Sequence, residues 1–121
     1  MSVPETAKPY DLEERTYLFA KRVRLFAKRL PRTVGNLEDG KQLIRASGSV
    51  AANYIEANEA LGKKDLLMHL RISRKEAKES ALWLRLVDTG ADLKVEAERA
   101  ELLQEARELV KIFSAIIRKT E

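Results

Sequence analysis

The sequence predicts an all-α protein, an antiparallel up-down-up-down four-helix bundle. Short groups of helix-breaking residues, at 31–35, 61–62 and 89–92, divide the chain into four parts. Each part carries apolar residues three or four positions apart, the repeat that places them along one side of a helix. No stretch alternates long enough between apolar and polar residues to indicate a strand. Because the connections are only a few residues long, consecutive helices are expected to be antiparallel neighbours.

The breakers and capping residues set the predicted helix bounds. The four helices are expected at residues 11–30, 37–60, 64–87 and 95–118. Asp11 is a suitable N-cap for the first helix and Asn36 for the second, because short polar side chains can accept a hydrogen bond from a helix N-terminus. Pro31 is expected to end the first helix, since proline disrupts the hydrogen bonding of a helix interior.

Each predicted helix has one apolar seam, and the four seams are expected to share a core. The first consists of Leu12, Phe19, Val23, Phe26 and Leu30, and the second of Leu43, Ser47, Val50, Tyr54 and Ala57. The third, which is thin, consists of Leu66, Leu70, Ser73, Ala77, Ser80, Leu84 and Val87. The fourth consists of Leu102, Ala106, Leu109, Phe113 and Ile116. A run of small residues at 46–52 permits either tight packing inside the bundle or a contact with another subunit.

Composition favours one domain over residues 1–121, with a flexible N-terminus of about residues 1–10. Of the 121 residues, 45% are hydrophobic, enough for one core, and 35% are charged, which suits solvated helix faces. No apolar run approaches the length of about 20 residues that a membrane span needs. The chain has no cysteine and no visible signal peptide. We therefore expect a cytoplasmic protein that has no membrane role.

The residue inventory argues against an enzyme. His69 is the only histidine and cysteine is absent, so no second histidine or cysteine can build a zinc site with it, and no Ser-His-Asp or Cys-His arrangement is indicated with any specificity. Gly35 and Gly40 do not fit a phosphate-binding loop. Two pairs of glutamates stand three residues apart, but the Glu-x-x-His pairs of di-metal bundles are missing. We predict no catalytic residue, no metal and no cofactor.

A polar group on the second and third helices has two interpretations. Its members are Arg45, Asn53, Glu56, Arg74, Glu76 and Glu79. In an antiparallel hairpin these residues face each other across the two helices. They form either a network of ion pairs that fixes the helix register, or a polar groove or lining at an oligomer axis.

Two basic stripes are candidate sites for nucleic acid. On the first helix, Lys21 and Lys28 share one line and Arg22 and Arg29 another. On the third helix the stripe consists of Lys64, Arg71, Lys75 and Lys78, followed by Arg85. Arrays of this kind bind phosphate backbones in a salt-dependent way. The simpler interpretation is a solvated helix face. The net charge of +4 and the pI of about 9.4 suit either one.

Several motifs together resemble the 23S rRNA-intervening-sequence (S23-like) family of four-helix bundles. The chain opens its first helix with DLE at 11–13, and its second helix contains QLIRASGSVAAN at 42–53. The sequence continues with NYIEANEA at 53–60, RKEAKES at 74–80 and WLRL at 83–86. The resemblance extends from about residue 11 to residue 119. The chain is also similar to the accessory protein of diversity-generating retroelements.

The resemblance implies an up-down bundle that assembles as a ring, typically a homopentamer, without enzymatic activity. The second similarity implies a basic pentamer that associates with nucleic acid and a reverse transcriptase. Our first hypothesis is therefore an oligomer that binds RNA or DNA through the basic faces of helices one and three. The alternative is a structural module that contacts a protein partner and has no role with nucleic acid.

Overall fold

The computed structural model describes residues 9–121 and contains four α-helices. They are α1 (Pro9–Ala27), α2 (Val34–Asn58), α3 (Lys63–Leu86) and α4 (Leu93–Thr120). No strand occurs in this part of the chain, so the all-α prediction is confirmed. The expected flexible N-terminus lies outside the described residues except for its last two, which belong to α1. The expectation of a single domain stays a prediction.

The four helices pack in a cycle around one core. α1 packs on α2, α2 on α3, α3 on α4, and α4 back on α1, whereas the described parts of α1 and α3 make no contact. Almost every predicted seam residue is buried in a common apolar cluster. Two shifts by one position occur: Leu67 is buried rather than Leu66, and Ile117 rather than Ile116. A helix of 3.6 residues per turn drifts away from a strict seven-residue repeat, and this drift accounts for such shifts.

The predicted ends of α1 need correction. The helix begins at Pro9, so Asp11 lies inside it and is not its N-cap. Proline is well accepted in a first turn, where its missing N–H has no helical partner to lose. The helix ends at Ala27, three residues before the predicted end. The Pro31 ring would clash with the carbonyl four residues earlier, that of Ala27, and this clash explains the early stop.

Asn36 is not the N-cap of α2, although the sequence suggested that it was. The cap is Thr33, whose hydroxyl accepts a hydrogen bond from the Asn36 amide at 3.0 Å. The buried Asn36 side chain instead joins two loops. Its Nδ2 donates to the carbonyls of Pro31 (2.9 Å) and Asp88 (2.8 Å), and its Oδ1 accepts from the Asp88 amide (2.8 Å). One amide therefore holds the α1–α2 and α3–α4 connections together.

The α3–α4 connection packs tightly against the α1–α2 connection. Gly90 has φ +68°, and a Cβ at this position would lie 2.7 Å from Cγ of Pro31, so both conformation and space require glycine. Asp92 caps α4 by accepting from the amides of Lys94 (2.9 Å) and Val95 (3.2 Å). This cap places the start of α4 two residues before the predicted one.

Small side chains let α2 and α3 approach closely, and their contact is the most extensive in the fold. Ser73, Ala77 and Ser80 are fully buried on α3. The Ser73 hydroxyl donates to the Val50 carbonyl of α2 at 3.0 Å. Ala46 and Ser47 are also fully buried. Part of the small-residue run at 46–52 therefore packs inside the bundle, as the simpler of the two interpretations predicted.

We expect Asn36→Ala to lower the free energy of unfolding by about 1–3 kcal/mol, the cost of leaving buried hydrogen-bonding groups unsatisfied. The change in the free energy of unfolding is measured by urea titration, with circular dichroism as the signal. Lys41→Ala, on the exposed side of α2, is the control and should change stability by less than about 0.5 kcal/mol. Equal stability of the two variants would contradict the role of Asn36.

Candidate nucleic-acid interface

Four of the eight predicted phosphate contacts are engaged with carboxylates of the same chain. Arg22 lies 3.0 Å from Glu101 and Arg29 lies 2.6 Å from Glu98, both across the α1–α4 contact. Arg71 pairs with Glu121 at 2.6 Å, and Lys75 lies 4.0 Å from its neighbour Glu76. These cations would have to leave or share a carboxylate in order to bind a phosphate.

Arg22 and Arg29 belong to a ladder of ion pairs between α1 and α4. Its third arginine is Arg15, seven residues before Arg22. Arg15 makes two hydrogen bonds to the Glu105 carboxylate, at 2.7 and 2.9 Å, and one to Glu108 at 2.8 Å. Partner numbers fall along α4 as arginine numbers rise along α1. The seven-residue arginine spacing was visible in the sequence, but its acidic partners were not identified.

Two members of the ladder, Arg15 and Glu108, have shifted pKa values. Hydrogen bonds and charge from Glu105, with a contribution from Glu108, raise the pKa of Arg15 despite partial burial. The pKa of Glu108 is held below its ordinary value of 4.5, first by the Gln104 amide and then by Arg15. Both shifts favour the charged forms, so Arg15 and Glu108 attract each other as an ion pair at neutral pH.

The other four predicted contacts are exposed lysines with no carboxylate within 4.0 Å in the described part of the chain. They are Lys21 and Lys28 on α1 and Lys64 and Lys78 on α3. Each pair stays on one helix face, because seven or fourteen residues correspond to whole turns within a small drift. Their charges are open to solvent and to any anionic partner.

The two lysine pairs lie on helices that occupy opposite corners of the bundle. α1 and α3 both contact α2 and α4 but do not contact each other over the described residues. On either side of the bundle, α2 or α4 therefore lies between the helices that carry the two pairs. A strand that bends around the bundle, or a neighbouring copy of the chain, would combine them.

The predicted polar group is only partly assembled. Arg45 lies 3.6 Å from Glu76 and 3.4 Å from Glu79, so these three residues join α2 to α3, and their role in fixing the helix register stays a prediction. Glu56 is exposed, with no ion pair in the described chain. Arg74 contacts α4 instead, through a 3.4 Å hydrogen bond to the Ser114 hydroxyl, because its position on α3 is turned away from α2.

Asn53 joins α3 through a residue that the predicted group omitted. Its Oδ1 lies 3.0 Å from Nδ1 of His69. Its Nδ2 donates to both the backbone carbonyl and the hydroxyl of Ser49, at 3.0 Å each. Nε2 of His69 lies 3.6 Å from Asp65. His69 thus takes part in the α2–α3 contact, a role consistent with a packing histidine.

Glu76 is the most buried charged residue of the group, with 5% of its surface exposed. Its Oε1 has no hydrogen-bond partner among the described residues, and Arg45 is within ion-pair distance.

No cluster of three metal-ligating side chains occurs in residues 9–121. Within the same range, no helix combines the length and apolar character needed to cross a bilayer.

Comparison with known proteins identifies the family. The family described as 23S rRNA-intervening sequence protein matches residues 9–115, which cover α1 to α3 and most of α4. The chain belongs to this family. The resemblance derived from the helix motifs is therefore confirmed, whereas the similarity to the retroelement accessory protein stays a prediction.

A solved structure in the same family has the same fold. It is a protein of unknown function from the S23 ribosomal protein family of Bacteroides thetaiotaomicron VPI-5482. The two chains are 27% identical, with a TM-score of 0.73 over 87% of this chain and 96% of the other. No curated protein matches. Membership of the 23S rRNA-intervening sequence family thus indicates the fold of the chain. The activity has to be inferred from the residues of the candidate site.

The ladder predicts a pH-dependent stability. Because the pKa of Glu108 is lowered by folding, its contribution is present above the ordinary value of 4.5 and is lost as the pH falls through the lowered value. We expect Glu108→Gln to reduce the urea midpoint at pH 7 and to reduce it less at pH 3, where a larger fraction of Glu108 is protonated. Glu56→Gln, at an exposed glutamate, should have no effect at either pH. A Glu108→Gln effect equally large at pH 3 would contradict the assignment.

Proposed function

We propose that this protein is a non-enzymatic oligomer that binds RNA or another nucleic acid through lysines of α1 and α3. One observation carries the proposal: Lys21, Lys28, Lys64 and Lys78 are exposed and lie beyond ion-pair distance of the carboxylates in the described chain. A cation without an internal partner binds phosphate without first losing an ion pair. Binding releases condensed counterions and is therefore sensitive to salt.

Assembly is part of the proposal because the two lysine pairs of a single chain lie on helices at opposite corners of the bundle. We propose an antiparallel up-down-up-down bundle that forms a ring, as the family resemblance implies, with five copies. A ring repeats the charge of +4 around its circumference and raises the local potential for a polyanion. Neighbouring copies would bring α1 lysines of one subunit towards α3 lysines of the next. We propose a cytoplasmic location for this assembly.

A structural scaffold is the second candidate, and exposed apolar side chains favour it. Tyr17, Leu18 and Leu25 on α1 are each about half exposed, at 50%, 46% and 49%. Large apolar side chains grouped on one helix are a common feature of protein contacts. In that case a protein partner would cover α1, and the lysines would contribute only solubility.

Replacing the four lysines together by glutamine tests the first candidate. We expect the variant to lose at least tenfold in affinity for single-stranded RNA in filter binding at 50 mM salt. The slope of log K against log salt should become less steep by about 0.7 for each phosphate contact removed. The unchanged protein should bind more weakly at 200 mM than at 50 mM salt.

The matched control replaces four exposed cations of α4, Lys94, Arg107, Lys111 and Lys119, by glutamine. This variant has the same net charge as the first, so net charge alone predicts equal losses. Binding should stay within about threefold of the unchanged protein. Absent or salt-insensitive binding of the unchanged protein to RNA and DNA would overturn the proposal and leave the scaffold. Light scattering on the same samples measures assembly separately.

A further inference from the structure

The outer side of α3 carries a second seam whose members lie outside the buried core, although one of them, Glu79, pairs with Arg45 of α2. Its six members, at 4-3-4-3-4 spacing, are Met68, Ile72, Lys75, Glu79, Leu82 and Leu86. With 100° per residue, all six lie within about 40° of the direction opposite the buried Ala77. Met68, Leu82 and Leu86 are 46%, 44% and 54% exposed. We call these six residues the outer seam of α3.

The outer seam is symmetric about its midpoint. Met68 and Leu86 each lie nine residues from position 77, Ile72 and Leu82 each lie five residues from it, and Lys75 and Glu79 each lie two residues from it. The apolar residues thus match apolar residues, and the only two charged members match each other with opposite sign. When the order is reversed, the apolar positions stay apolar and the positions of the two charges exchange.

Such a seam is complementary to an antiparallel copy of itself. In a contact with two-fold symmetry, residues equally far from the axis face each other. Met68 then packs on Leu86 of the second copy, and Ile72 on Leu82 of the second copy. Lys75 meets Glu79 of the second copy, and the axis repeats each of these contacts. The 4-3 spacing is the one that lets two helices interdigitate their side chains.

We propose that two copies of this chain associate through the outer seams of α3, antiparallel and with the two-fold axis at the level of residue 77. Lys75 has 63% of its side chain exposed and Glu79 has 38%. Both therefore remain accessible to a second copy while they lie near Glu76 and Arg45 of their own chain. The occupant of this face is a second copy of the chain, because its reversed seam supplies both the apolar match and the charge match.

The connections at the two ends of α3 agree with this arrangement. Leu61, just before α3, is fully exposed, and Leu93, just after the following turn, is 84% exposed. An antiparallel contact brings the beginning of one α3 to the end of the other, and hence Leu61 towards Leu93 of the second copy. The seam spans roughly 27 Å at 1.5 Å per residue. A contact of one helix pair is small for a specific interface, so association should depend on protein concentration.

The two-fold contact is separate from the proposed ring, and none of the four lysines proposed to bind nucleic acid is a member of the outer seam. A ring uses contacts that repeat head to tail, whereas the outer seam pairs like with like. A ring that also forms this contact joins a second ring through it. Lys78 lies about 80° from the centre of the seam, so pairing leaves it open to phosphate, whereas Lys64 lies on the same side of α3 as the seam, one turn before Met68.

Cross-linking tests the register, and the absence of native cysteine makes it specific. One chain carries Met68→Cys, and a second chain, distinguishable by a size tag, carries Leu86→Cys. With a short bismaleimide, the mixture should cross-link severalfold more than either variant alone, because only unlike positions face each other. Both sites are about half exposed, and circular dichroism checks that the variants fold. Homotypic yields equal to or above the mixed yield would overturn the proposal.

Charge exchange tests the axis independently. Lys75→Glu on both chains opposes like charges twice and should lower the mixed cross-linking severalfold. Lys75→Glu on one chain and Glu79→Lys on the other restores opposite charges at both places and should restore the yield. Lys78→Glu, one position off the seam, should change the yield little. A yield that stays low in the exchanged pair, or falls equally with Lys78→Glu, would overturn the register.

These readouts separate the pairing from the function proposed above. Loss of RNA binding with intact cross-linking overturns the nucleic-acid function only. Intact RNA binding without mixed cross-linking overturns the pairing only. Light scattering that finds a single chain at every concentration, or a seam covered by another protein instead of a second copy, also overturns the pairing.

Discussion

The close approach of α2 and α3 is the constraint on which the rest of the structure depends. Ser73, Ala77 and Ser80 form the middle of the buried α3 seam with no exposed surface. Where core side chains are this small, the helix axes must come together or leave a void, and protein interiors do not tolerate large voids. The Ser73 hydrogen bond to the Val50 carbonyl requires this proximity. The rotation of α3 about its axis follows, and with it the direction of every other side chain on that helix.

That rotation divides the charged residues into internal and external groups. Glu76 turns towards Arg45 of α2, and Arg74 turns towards α4. On the other side of the molecule, α1 and α4 meet through arginines and glutamates rather than through small side chains. Cations that join helices are therefore separated from Lys21, Lys28, Lys64 and Lys78. A family member that binds a polyanion needs the second group, while the first contributes to the register of the bundle.

The sequence predicted the helices and their buried sides well, because apolar periodicity reports directly on which side faces the core. It failed at helix ends, where the Pro31 ring and the Asn36 side chain act through particular contacts. Arg22 and Lys21 were both predicted to contact phosphate, since both lie in a basic stretch of α1. Their environments differ only because α4 presents Glu101 beside Arg22. With 23 basic and 19 acidic residues in the chain, charge pairing depends on helix rotations that a linear pattern does not specify.

Small side chains hold α2 and α3 close together, and enlarging one of these side chains is the sharpest test of that role. Ala77→Leu introduces a large apolar residue of the kind that bundle seams usually have. If the helices are already in close contact, overpacking should lower the free energy of unfolding by about 1–3 kcal/mol, seen as a lower urea midpoint. A higher midpoint for Ala77→Leu would show that the leucine fills a space between separated helices, and would contradict the account.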